Sequence, residues 1–186
     1  MPHHEVFSRF WRYSGEVPAG YQVDFLGTLI SDKFDAGLQG VSPYPDGTTV
    51  QNVSYPQLDE EYFEWIDLLE SVVAASGSYT MIELGAGYGR WALRAAFAAQ
   101  RYNPDLRCHI IAVEAEPTVY GWLKEHFAHN GLKPRWHTLL HKPLAGIPQP
   151  SLDSLDASTL RDVHFQHRGE DLEFFEAGTQ QGVKRR

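Results

Sequence analysis

The sequence predicts an α/β fold built on a parallel sheet, and three features carry that expectation. Apolar runs of strand type at 79–82, 108–113 and 136–140 alternate with helix-like stretches at 90–102 and 118–129. A glycine-rich turn, Gly85-Ala86-Gly87-Tyr88-Gly89, joins the first run to the helix after it. Strands and helices alternating at these lengths imply parallel pairing through right-handed crossovers.

Two regions are expected, 1–57 and 58–186. The first carries Gly, Pro, Tyr and Phe without sustained periodicity, and Ser42-Pro43-Tyr44-Pro45-Asp46-Gly47 reads as successive turns. Its aromatics, among them Phe7, Phe10, Trp11, Tyr13, Tyr21 and Phe25, are too many for a solvated tail. This segment should pack on the main domain, and it is a candidate cover for that domain's mouth.

From Asp59 the pattern turns helical. Tyr62, Phe63, Ile66, Leu68, Leu69, Val72 and Val73 recur at three- and four-residue intervals behind an acidic first turn, and the helix should end near Gly77. The stretch from Arg90 to Tyr102 is alanine-rich and stops before Asn103-Pro104. Thr118 to His129 forms the next helix, with Asn130-Gly131 as its stop. Trp136 to Leu140 reads as a third strand, Pro143 and Pro148-Gln149-Pro150 break the chain, and Asp162 to Phe165 is a short fourth strand followed by a helix over 170–177.

Composition narrows the class. At 186 residues with 42% hydrophobic content the chain can bury a sizeable core. A formal charge of −8, with Lys184-Arg185-Arg186 the one basic cluster, argues against a nucleic-acid or anionic-membrane surface. No segment reaches the roughly 18 apolar residues of a membrane span, and the start of the chain lacks a secretory pattern. A soluble, cytoplasmic protein is expected. The lone Cys108, inside a strand, reads as a small buried hydrophobe rather than a nucleophile.

The chemistry gathers at the glycine turn. Glu83 closes the first strand, and glycines at alternate positions mark backbone that approaches a ligand closely. A dinucleotide fingerprint would read G-x-G-x-x-G. Here the third glycine comes one residue early and Arg90 occupies the dinucleotide position, which disfavours an NAD-dependent oxidoreductase. The pattern E-x-G-x-G-x-G after a strand resembles motif I of the class I S-adenosylmethionine (SAM) methyltransferases. That resemblance implies SAM as cofactor, a Rossmann-like sheet, and a cofactor site drawn from Glu83, Gly85, Ala86, Gly87 and Gly89. Glu114, with Ala115 after it, ends the second strand, so two carboxylates should flank one crevice at the strands' carboxyl ends. There Glu114 would accept hydrogen bonds from both ribose hydroxyls; otherwise it simply opens the next helix beside Glu116 and Pro117.

With Glu114, the Asn130-Gly131 turn and the Tyr62-x-x-x-Ile66 helix added, the chain from about Phe10 to Gly178 resembles the FkbM-type SAM-dependent methyltransferases. The resemblance implies O-methylation of a small hydroxylated acceptor such as a sugar. It also implies a seven-stranded sheet ending in F-D-x-Q/E-G-x-E at the fourth strand. Here that stretch reads Phe165-Gln166-His167-Arg168-Gly169-Glu170-Asp171, with Gln166 in place of the aspartate. With four strands before Arg186, the expectation is a C-terminally incomplete sheet whose open edge is covered by a second copy or another protein. A catalytically degenerate binding or partner subunit is the rival reading. His164 and His167, near the end of the fourth strand, are candidate bases for the acceptor hydroxyl. Gln166 could bond SAM or acceptor but cannot take a proton. His126 and His129, one helical turn apart, could share a ligand, and His137 and His141 bracket the third strand, but no H-E-x-x-H template supports a metal, and none is expected. Arg90 is a candidate partner for the SAM carboxylate or for a surface acid. Tyr88 and Trp91 are expected to pack at the start of the helix.

Overall fold

The computed structural model describes residues 3–34, 47–142 and 163–167. The expected helix over 170–177 and the turns at 42–46 lie outside these residues. The N-terminal region is a 3-10 helix Glu5–Arg9 followed by short strands β1 (Gly15–Val17), β2 (Tyr21–Val23), β3 (Leu29–Ser31) and β4 (Thr48–Val50). β1 pairs antiparallel with β4, and β2 with β3. These strands were not expected from the sequence, because three-residue strands are too short to show alternation.

The main unit runs α1 (Tyr62–Ala74), β5 (Ser78–Leu84), α2 (Arg90–Tyr102), β6 (Arg107–Glu114), α3 (Pro117–His129) and β7 (Thr138–His141), with β8 (Val163–His167) on the other side. Its sheet has the order β7-β6-β5-β8 and every pair is parallel. The chain leaves β5 toward β7 and comes back to β8, so the carboxyl ends of β5 and β8 form the topological switch point, where open α/β sheets bind ligands.

Local chemistry explains the boundaries. Pro117 begins α3, and the Glu116 carboxylate caps it by accepting the Val119 N–H at 2.7 Å. Gly131, at φ +70°, closes it, with its N–H donating to the Ala128 carbonyl. Several expectations need correcting. α1 starts at Tyr62, after the acidic turn; Pro134–Trp136 is a 3-10 turn ahead of β7; and β8 continues through Gln166 and His167. Phe63 is 72% exposed, and Trp65, outside the apolar stripe read from the sequence, is buried in its place.

One face of the sheet carries the main core. Tyr79, Met81, Ile110 and Ala112 meet Leu68, Leu69 and Val72 of α1, Leu93, Ala95 and Ala99 of α2, and Leu123 and Phe127 of α3. Phe7, Phe10, Phe25 and Leu26 belong to the same cluster. Each such side chain contributes roughly 1.5–3 kcal/mol when fully buried, so the N-terminal region is bound to the core by its aromatics. Trp11 is the exception at 65% exposure, its ring stacked under the Arg101 guanidinium at 4.0 Å. Ile82, Ile111 and Val113 form a smaller cluster with Leu84 and Leu140. Among the described residues no helix is long and apolar enough to cross a membrane.

Candidate functional site

The glycine turn reaches its shape through backbone that only glycine adopts cheaply. Gly85, Gly87 and Gly89 have φ of +69°, +56° and +80°. The three serve different ends. A Cβ on Gly85 or Gly87 would find nothing within 4 Å, so these two line the open side of the turn. A Cβ on Gly89 would lie 2.4 Å from Leu123 Cδ1 and 3.3 Å from Phe127, so Gly89 is the point where the turn packs against α3. Gly89→Ala should destabilise the fold by about 2 kcal/mol or more, from strain and overpacking together. Gly87→Ala should lose about 1 kcal/mol from strain alone, and chemical denaturation of the two variants measures the difference.

The turn is tied down on both sides. Ala86 N–H donates to the Val113 carbonyl at 2.9 Å, and Gly89 N–H to the Ala86 carbonyl at 2.7 Å. Glu83 is buried, and its Oε2 accepts the Ala92 N–H at 2.9 Å. Because Gly89 has no side chain to cap α2, the strand carboxylate satisfies one of the helix's first N–H groups and complements its positive end.

Glu114 binds the turn directly. Its Oε2 accepts the Gly87 N–H at 2.8 Å, and its Oε1 accepts the Ala115 and Glu116 N–H groups, each at 2.8 Å. The carboxylate thus joins the carboxyl ends of β5 and β6 across the crevice between them. Three of its roughly four lone-pair sites are taken by backbone donors. That leaves room for one further donor, and a second would have to displace a backbone N–H. Beside it, Lys142 N–H donates to the Glu114 carbonyl at 3.1 Å, and the His141 ring stacks on Tyr120 at 5.1 Å.

The remaining candidates fall in different places. Register sets Gln166 opposite Glu83 and His167 opposite Leu84, level with the start of the glycine turn. His164 sits opposite Met81, three residues deeper along the strand. Tyr88 packs against Phe34, ring centroids 5.4 Å apart, and Trp91 packs against Trp65 at 5.4 Å. Arg90 pairs with Glu61, and its Nε donates to the Tyr88 hydroxyl at 2.6 Å. Cys108 is half-buried, and burial pushes its thiol up to about 12, so thiolate chemistry is unfavourable there. Among the described residues no group of three or more His, Cys, Asp or Glu is placed to hold a metal ion.

Sequence reasoning missed the charged cluster behind the turn. Arg94 is buried in α2, its guanidinium 4.2 Å from the Trp65 ring and 4.4 Å from the Trp91 ring. Its Nε lies 3.5 Å from Asp24 Oδ2, and its Nη1 3.4 Å from Glu61 Oε2. Burial raises the Asp24 carboxyl above its ordinary range, and the neighbouring Arg94 charge works against that rise. An arginine in an alanine-rich helix gives no sign of burial, since its partner lies far away in the N-terminal region.

No family model and no curated protein matches this chain. Several solved structures are similar to part of it. One is a candidate protein-L-isoaspartate O-methyltransferase from Plasmodium falciparum, solved with S-adenosyl-L-homocysteine, at 15% identity over 66% of this chain and 55% of that one, TM-score 0.42. Another is the methyltransferase subunit of a type I restriction-modification system from Streptococcus thermophilus, at 12% identity over 51% and 20%, TM-score 0.40. A third is a SAM-dependent methyltransferase from Agrobacterium tumefaciens, at 20% identity over 50% and 27%, TM-score 0.34. This chain spans 20% to 55% of the length of those three proteins.

Proposed function

We propose that the chain binds SAM at the carboxyl ends of β5 and β6 and takes part in methyl transfer to the hydroxyl of a small acceptor such as a sugar, as the FkbM-type resemblance implies. The observation that carries this reading is the bond from the Gly87 N–H to Glu114 Oε2, which brings the glycine turn and the ribose-type carboxylate to one crevice between the carboxyl ends of β5 and β6, next to the switch point. The open space at Gly85 and Gly87 suits a ligand lying against bare backbone, and the spare lone pair of Glu114 suits a ribose hydroxyl. Bound SAM would supply an electrophilic methyl on a sulfonium. Transfer to the acceptor oxygen would break the C–S bond and leave the thioether, and the hydroxyl proton would have to pass to a base of this chain. His167, at the end of β8, is the better placed of the two histidines to take it.

A second reading is favoured by Gln166, which stands where the resemblance implies an aspartate. In it the chain binds the nucleoside as a subunit of a larger assembly, with a second copy or another protein along the side of β8 that no described strand pairs with. Calorimetry with S-adenosylhomocysteine, SAM and NAD tests the cofactor: the first two should bind and NAD should not, and a preference for NAD would overturn the reading. A labelled-methyl assay on glycan acceptors then separates enzyme from binding subunit.

A further inference from the structure

His126, on α3, meets the glycine turn at Tyr88 and is not among the residues assigned to methyl transfer above. It is fully buried in α3, with the rings of Phe34 and Tyr88 set edge-on to it at 5.3 and 5.4 Å. Its Nδ1 is 2.8 Å from the Tyr88 carbonyl oxygen in the turn, and its Nε2 is 2.9 Å from the Leu29 carbonyl oxygen in β3. Both partners are acceptors, and a neutral imidazole has one N–H to offer. Burial pushes the ring's pKa down to about 4, opposed by the two carbonyl bonds and reinforced by the charges of His129 on its own helix and Arg94 on α2. A neutral ring can donate to one of the two carbonyls.

Asn130 ties the same strand to α3 on its own. The Leu29 carbonyl accepts Asn130 Nδ2–H at 2.8 Å, and Asn130 Oδ1 accepts the Leu29 N–H at 2.8 Å. The strand is therefore held whichever ring nitrogen carries the proton, whereas the ring's bond to the turn needs the N–H on Nδ1. We propose that His126 is a positioning residue for nucleoside binding: its Nδ1–H holds the Tyr88 carbonyl and so sets the glycine turn at Tyr88, as Glu114 holds it at Gly87. This inference rests on the SAM reading of the crevice. It links the N-terminal hairpin to the cofactor turn, because the hairpin is strapped to α3 beside the same histidine by the Tyr21 hydroxyl on His129 Nδ1 at 2.7 Å and by Lys33 on Glu125.

Two substitutions separate the ring nitrogens. An asparagine amide can put its N–H near the place of Nδ1, and a glutamine amide near that of Nε2. His126→Asn should bind S-adenosylhomocysteine within about threefold of wild type, and His126→Gln about tenfold more weakly, a difference of about 1.4 kcal/mol. A long-range 15N–1H spectrum of wild type at pH 7 should show the Nδ1–H tautomer, and this readout survives if either variant fails to fold. An Nε2–H tautomer, or equal affinities for the two variants, overturns the proposal. If wild type binds no S-adenosylhomocysteine, the SAM reading falls. Amide exchange at Gly89 in the unliganded variants then still tests the clasp, with faster exchange expected in His126→Gln than in His126→Asn and equal exchange overturning it.

Discussion

Replacing Arg94 with leucine should lower stability by about 3–5 kcal/mol, the range found when one partner of a buried ion pair is removed. The loss has two sources. Asp24 is buried, its Oδ1 accepts the Leu26 and Thr28 N–H groups, and its Oδ2 lies 3.5 Å from Arg94 Nε, with the Arg101 charge also acting on the carboxylate. Without the guanidinium that carboxylate must be neutralised or left alone in a low-dielectric setting. The two indoles that Arg94 contacts also lose a cation worth up to about 2 kcal/mol. Urea denaturation should show a lower midpoint at unchanged slope. Adding Asp24→Asn to Arg94→Leu should recover part of the loss, since the orphaned charge is then gone. A change below about 1 kcal/mol in the single variant would mean that the pair contributes nothing beyond packing.

Glu114→Ala should weaken S-adenosylhomocysteine binding by about tenfold or more, with the loss of a charge-assisted bond worth roughly 1.5–3 kcal/mol. The same change leaves the Gly87, Ala115 and Glu116 N–H groups without their acceptor, so some loss of stability should accompany it. Glu114→Gln grades the two effects. It keeps one carbonyl oxygen, for either the Gly87 N–H or the Ala115 and Glu116 pair, and sets its NH2 against the other donors, so stability should return only in part, while loss of the negative charge keeps affinity low. Calorimetry and thermal melting on the same samples read both quantities. Unchanged affinity in Glu114→Ala would remove this residue from the nucleoside site.

The parts of the fold legible in the sequence are those governed by neighbours along the chain. Glu116-Pro117 opens α3 and Asn130-Gly131 closes it because capping and positive φ are local demands. The glycine turn was legible for the same reason, as its three glycines all adopt φ values that a Cβ would oppose. Their separate tasks were not. Gly89 differs from Gly87 only through Leu123 and Phe127, which belong to another helix. Phe63 and Trp65 show the limit of periodicity, since both fit a helix and only the neighbouring Phe25 and Trp91 decide which is buried.

The candidate site divides along the same line. That Glu83, the glycines and Glu114 lie at strand ends follows from the order of residues, because parallel strands joined by crossover helices bring their carboxyl ends to one side. That Glu114 bonds Gly87, that Arg94 meets Asp24 beside two tryptophans, and that His126 faces two carbonyls all depend on segments far apart in the chain. Periodicity and spacing describe one element at a time, whereas burial of a charge or the choice of a histidine tautomer is an energy shared between elements. Such an energy exists only once they have packed.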